Sequence, residues 1–228
     1  MKKVMVMSLG GSLIIPKEIN YQFLNKFKKI LEKHYRTYRF IVVCGGGNLA
    51  REYIKALKQQ GKSKKQLSLA GIRATRQNAR FMMQFFGKRA NDTLPLNMKK
   101  VESNLRKNNV VFCGALRYAE NSTSDETSAK LARYLKRDLI NITNVKGLYS
   151  ADPRKNRKAK FIPKISWKEF EKKTLKIKYE AGQHFILDQK SSTLIRKSKI
   201  TTYIIGPNPK NLSKLLNNKP FTGTTISN

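Results

Sequence analysis

An α/β fold with a largely parallel sheet, covered by helices on both faces, is the class the sequence predicts. Two observations predict it. Apolar runs of strand length alternate with stretches of helical spacing along all 228 residues. Three successive runs then end in glycine, at Gly10-Gly11, Gly45-Gly46-Gly47 and Gly114, as strands do where a parallel sheet opens onto a ligand crevice.

The elements follow in order. Lys3 to Leu9 (KVMVMSL) reads as a buried strand. Ile19, Phe23, Leu24, Phe27, Ile30 and Leu31 carry helical spacing, so a helix is expected over Ile19 to Leu31. Arg39 to Cys44 is the second strand. Asn48 stands where an N-cap belongs, ahead of a helix from Leu49 to Leu57. Helices are expected near Ala74 to Phe86 and Met98 to Lys107, then a third strand from Asn109 to Cys113. A polar loop, Arg117 to Asp125, leads to a helix from Glu126 to Leu135. Asp138 to Ile142 is the fourth strand, followed by a long loop containing Gly147, Pro153, the lysine-rich stretch Arg154 to Lys160, and Pro163. Helices near Trp167 to Lys173 and Leu187 to Lys197 precede a strand from Ile200 to Ile205. Thr224 to Ile226 is expected to be an edge strand.

Composition narrows the function classes. No apolar segment is long enough to span a bilayer or to act as a signal peptide, so a cytoplasmic protein with no membrane partner is expected. Cys44 and Cys113 each end an apolar run and read as buried free thiols. Forty-eight Lys plus Arg against fourteen Asp plus Glu leave a net charge of +34, which attracts anions. The cations are spread along the chain rather than gathered in a stripe. That pattern favours a solvated basic surface that steers small anions over nucleic-acid binding, which stays possible. His34 and His184 have no Cys, Asp or His at ligand spacing, and no residue is assigned as a metal ligand.

The glycines point to phosphate. Without a Cβ, a backbone N–H can turn towards an anion, and the next helix N-terminus adds its positive end. Three such turns at adjacent strand ends suggest several phosphate positions in one crevice. Arg51, one turn into the following helix, adds a fork of donors there.

These residues resemble a known family. SLGGS, VVCGGGNLAREYI, GIRATRQNA, STSDETSAKLA, ITNVKGLYSADP and ILDQKSS occur in the order and spacing of the amino acid kinase superfamily, and within it of archaeal-type uridylate (UMP) kinases. The resemblance runs from Val4 to about Ile226. It implies a three-layer αβα sandwich forming one domain over 1–228, with an acceptor side over about 1–135 and an ATP side over about 136–228. It also implies transfer of the ATP γ-phosphoryl to UMP with Mg²⁺, as in pyrimidine nucleotide biosynthesis, by a homo-oligomer, a hexamer in that family. Position by position, Gly11, Ser12, Gly47, Arg51, Thr143, Asn144, Tyr149 and Asp152 fall on the ATP side. Gly46, Ser68, Gly114, Thr123, Ser124 and Asp125 fall on the UMP side. Arg51 and Asp188 are the expected catalytic residues. Thr75, Arg76 and Asn78 match a helix near the acceptor and the subunit contacts.

The chain also departs from the family pattern. Ser8 stands where many members carry a lysine, and Ser68 where an acidic residue would hold the ribose. Lys146 replaces an Asp, and Thr193 a Lys. The acceptor loop from Gly114 to Asp125 carries extra residues and has lost a glycine, a proline and a histidine. Arg117 and Lys146 are the expected compensating cations. The departures leave open a kinase for another small phosphate- or carboxylate-bearing acceptor, or a non-catalytic nucleotide-binding regulator.

Overall fold

The structure, a computed structural model, describes residues 2–118, 123–153, 156–176 and 187–228. In chain order its first half comprises β1 (Lys3–Leu9), α1 (Gly11–Ile14), α2 (Tyr21–His34), β2 (Tyr38–Cys44), α3 (Gly47–Gln59), α4 (Lys64–Phe86), α5 (Met98–Lys107) and β3 (Val110–Cys113). There follow α6 (Ser124–Leu135), β4 (Leu139–Ile142), β5 (Leu148–Tyr149), β6 (Phe161–Ile162), β7 (Lys164–Ser166) and α7 (Trp167–Leu175). The chain ends with α8 (Gln189–Lys197), β8 (Thr202–Ile205), α9 (Pro209–Leu216) and β9 (Gly223–Ser227).

Among the described residues, seven strands form one sheet in the order β3-β2-β1-β4-β8-β9-β7, and β5 pairs with β6 apart from it. The five strands from β3 to β8 are parallel, while β9 runs antiparallel to β8. Leu9 is in register with Cys44 and with Ile142, Val43 with Cys113, and Ile142 with Ile205. The carboxyl ends of these strands therefore form one row, where α/β sheets hold their ligands.

Alternation along each strand divides the core in two. Met7, Leu9, Phe40, Val42 and Phe112 pack with Phe27 of α2, Met82 of α4 and Leu216 of α9. Val6, Ile41, Val43 and Val111 face the other way, towards Leu105 of α5, Leu131 of α6, Phe170 of α7 and Ile195 of α8. The result is the expected three-layer αβα sandwich.

Several boundaries differ from expectation. Helix α2 begins at Tyr21 behind an Asn20 cap, which leaves Ile19 outside it and exposed. Helix α4 begins at Lys64 rather than near Ala74, because Ser63 and Gln66 form a reciprocal capping box ahead of it. Asn48 is not the cap of α3. Gly46 holds that position, and the Asn48 side chain instead accepts from Arg51 Nη2 at 3.4 Å. Thr224 to Ile226 is no edge strand, since β9 lies between β8 and β7. Its Thr224 hydroxyl is consumed internally, accepting from the Leu148 amide at 2.8 Å. Strands β5 to β7 lie in a stretch expected to be loop, and helix α9 in one for which no element is expected. Cys44 and Cys113 are buried free thiols, as expected. Burial pushes the Cys113 thiol up to about 12 and Cys44 upward too, so neither is a nucleophile. His34 Nε2 lies 3.0 Å from Ser213 Oγ on the first core's margin. His184, Arg154 and the loop centre 119–122 lie outside the described residues.

Candidate active site

The glycine turns meet at the ends of β1 and β2. Gly11 rests directly on the second turn: a Cβ there would overlap Gly47 N and stand 2.6 Å from Gly45 O. Gly47 needs its positive φ of 61° to start α3. These glycines thus serve close backbone approach as well as any ligand. Gly11→Ala is expected to destabilise the fold by about 3 kcal/mol, because the overlapped atoms are backbone and cannot rotate away. A urea melt with an unchanged midpoint would refute this.

Capping marks the same place. Among the described residues, seven α-helices, α2 and α4 to α9, have a side-chain N-cap accepting from their first turn. Helices α1 and α3, which follow the glycine turns, have none. Without a side-chain cap, the Leu13 amide donates to Gly10 O at 2.8 Å and the Asn48 amide to Ile15 O at 3.2 Å, which leaves the Gly11, Ser12 and Gly47 amides at the positive ends of the two helices as the donors for a ligand. Ser12 and Arg51, both half-buried, stand on these two helices.

The opposite face of β1 carries the carboxylates. Ser8 is 2 % exposed and donates to Asp125 Oδ1 at 2.8 Å. Thr123 both caps α6, accepting from the Glu126 amide at 3.1 Å, and donates to Asp188 Oδ2. Asp188 is not inside its helix, as the sequence suggested, but caps α8. It accepts from the Ser191 amide at 2.8 Å and from Ser191 Oγ at 2.7 Å. Burial, and then the Asp188 carboxylate, push the Asp125 carboxyl up to about 7, against the opposing pull of the Ser8 hydroxyl. Among the described residues no Lys or Arg pairs with either carboxylate.

The remaining candidates stand on several elements. Gly46 lies against Thr75 of α4, and Gly114 against Thr75 and Arg76. Ser124 opens α6, half-buried. Ser68 is half-buried on α4, two turns before Thr75. Thr143 and exposed Asn144 follow β4, whose end is tied to Gly10 by the bond from Gly10 N to Ile142 O at 3.0 Å. Tyr149 packs edge-on against Phe161, ring centroids 5.4 Å apart, with Asp152 half-buried beyond it. Lys146 is exposed beside Gly206, on the crevice edge. Arg117 is exposed and lines a cavity of about 630 Å³ with Met98, Leu116, Lys130 and Tyr134.

Sequence reasoning missed Ser191 and the partners of Ser8 and Arg76. The spacing of Asp188 and Ser191 is a cap signal and was readable. The other two are tertiary contacts.

The model of the amino acid kinase family matches residues 3–206. The uridylate kinase of Methanococcus aeolicus is 33% identical across 97% of this chain and 98% of its own length. That of Archaeoglobus fulgidus is also 33% identical, and its crystal structure superposes with a TM-score of 0.85 over 99% of this chain and 100% of that one. The UMP kinase of Ureaplasma parvum, 18% identical, shares the fold with a TM-score of 0.81. With its sandwich, its glycine turns and relatives that match from end to end, the chain belongs to the amino acid kinase family.

Proposed function

We propose that the protein transfers the γ-phosphoryl of ATP to UMP, giving UDP and ADP. The observation that carries this reading is the pair of helix N-termini without side-chain caps, α1 and α3, meeting over the glycine turns beside a carboxylate pair. Full-length relatives named uridylate kinase support the choice of acceptor.

In this reading Gly11, Ser12 and Gly47 offer N–H and hydroxyl donors to the ATP phosphates. Arg51 neutralises charge on the moving phosphoryl, and Gly46 and Gly114 face the UMP phosphate. Thr143, Asn144, Tyr149 and Asp152 hold the adenosine end, so about 136–228 form the ATP side, and about 1–135 the acceptor side together with the phosphate-holding Gly11, Ser12, Gly47 and Arg51. Ser68, Thr123, Ser124 and Asp125 border the nucleoside of UMP. Phosphoryl transfer needs in-line positioning and charge neutralisation more than proton abstraction, and these groups supply both.

The donor set suits Mg²⁺ brought in with ATP. Among the described residues no three metal-ligating side chains cluster, but Asp125 and Asp188 crowd each other enough to raise one carboxyl. One or two carboxylates completed by phosphate oxygens and water is how Mg²⁺ is usually held. When bound it would neutralise charge across the β- and γ-phosphates. Lys146, exposed beside Gly206, is the candidate to stand in for the lysine absent at Ser8.

A homo-oligomer fits one further feature. Helix α3 carries Leu49, Tyr53, Ile54 and Leu57, yet no residue of it is buried within the protomer. Tyr53→Glu combined with Leu57→Glu is expected to lower the assembly to a smaller species in size-exclusion chromatography with light scattering. An unchanged mass would remove α3 from the interface. No helix among the described residues is long and apolar enough to cross a membrane, and the two free thiols suit a reducing cytoplasm.

The test is a coupled assay of ADP release with Mg-ATP and UMP, CMP, AMP or small carboxylates. Turnover with UMP in preference to the others is expected. Turnover with a different acceptor alone would move the assignment. ATP binding without any turnover would leave a regulatory nucleotide-binding protein.

A further inference from the structure

The segment from Gly114 to Leu116 leaves β3 at the carboxyl edge of the sheet and leads towards Thr123 and Asp125. Helix α4 grips it at three points. Arg76 Nε donates to Ala115 O at 3.0 Å, and Arg76 Nη2 donates to Leu116 O at 2.9 Å. The Ala115 amide donates to Thr75 Oγ1 at 3.0 Å, and that hydroxyl donates in turn to Ile72 O at 2.7 Å. Gly114 sits so near that a Cβ on it would lie 2.6 Å from Arg76 N. Ala115 and Leu116 are buried, so their backbone groups need partners, and one helix supplies them. Arg117 and Tyr118 are exposed, so Leu116 ends the buried stretch that leaves β3.

The same turn of α4 also holds the other glycine turn. Asn78 Nδ2 donates to Gly45 O at 2.7 Å and to Gly46 O at 3.1 Å. The methyl of Thr75 would lie 3.6 Å from a Cβ on Gly46. Residues 75–78 therefore set the separation of the two backbone segments that border the acceptor phosphate in the reading above. Two successive carbonyls held by one side chain call for a planar fork of donors. A guanidinium provides one, whereas an ammonium reaches a single carbonyl well.

We infer that Arg76 is a positioning residue for the acceptor: its guanidinium fixes where the 114–118 segment leaves the sheet and so holds the acceptor side at a set distance from Gly46. The inference rests on the kinase reading, and it concerns the acceptor, because among the described residues the Arg76 guanidinium bonds go to Ala115 and Leu116.

Steady-state kinetics on the full chain tests it, with melting temperatures taken for every variant. Arg76→Ala is expected to raise the KM for UMP about tenfold or more while the KM for ATP stays within about twofold. Arg76→Lys should fall between, since it keeps one of the two bonds. If Arg76→Ala fails to fold, Thr75→Val, which removes the acceptor for the Ala115 amide, should show the same split. A folded variant with an unchanged KM for UMP, or with equal rises for UMP and ATP, overturns the inference. Should the wild type prefer another acceptor, the UMP assignment falls while Arg76 is judged by the same split on that acceptor. A wild type that turns over no acceptor overturns both.

Discussion

Asp188→Asn is expected to leave the protein as stable as the wild type while lowering kcat by about 10²–10³-fold. The two halves of this result separate two roles of one side chain. As a cap, Asp188 accepts from the Ser191 amide, and asparagine caps a helix about as well as aspartate. Its second oxygen accepts from the hydroxyls of Thr123 and Ser191. Both hydroxyls can rotate to accept from an Asn amide instead, so no buried polar group is orphaned. What disappears is the negative charge, and with it one of the two carboxylates available to a cation that arrives with ATP. Loss of that charge also relieves Asp125, so the melting temperature should not fall below the wild-type value. Asp188→Ala would confuse the issue, because losing the cap alone costs about 1 kcal/mol. Thermal melts and saturating kinetics on the Asn variant decide the matter. Wild-type kcat would remove Asp188 from the chemistry and leave it a cap.

How far the sequence exposes this site depends on the distance over which each contact forms. The central strands were legible because each is a short apolar run buried on both faces, as in YRFIVVC and VVFC. The glycine turns were legible for the same local reason. Helix α4 was read too short because its first half, KKQLSLAGIR, is half polar and contains Gly71; the signal that starts it is the Ser63–Gln66 box. Strands β5 to β7 are two or three residues long, too few for any period to show. The edge assignment of β9 failed because its neighbour β7 comes from a distant segment. Within the site, Thr123, Asp125 and Asp188 were found as candidates but their pairings were not. Ser8 meets Asp125 across 117 residues, and Thr123 meets Asp188 across 65. Arg76 was noticed only as part of a motif, since its bonds are to backbone carbonyls, which carry no residue identity to read.

Asp125→Asn is expected to stabilise the protein at pH 8 and to disable it at the same time. Folding lifts this carboxyl from the ordinary 3.8 to about 7, through burial and then the neighbouring Asp188 carboxylate. Between those values the folded state holds a proton that the unfolded chain gives up. Its contribution to stability is therefore complete below the unfolded value and is lost as pH rises through the folded one. At pH 8 the wild type carries two crowded carboxylates, at a cost of roughly 2–4 kcal/mol. Asparagine is close in shape to the protonated acid and can still accept from Ser8, so it avoids that cost. The variant's melting temperature should exceed the wild type's by roughly 5–10 °C at pH 8. Near pH 4, where Asp125 is already protonated, the two should coincide. Activity should move the other way, with kcat lower by about a hundredfold, because the charge that crowds Asp188 is the one a bound cation would use. Melting curves for both proteins from pH 4 to 8 are the measurement. Parallel curves across that range would mean that folding leaves the Asp125 carboxyl at its ordinary value, and would leave the carboxylate pair without strain.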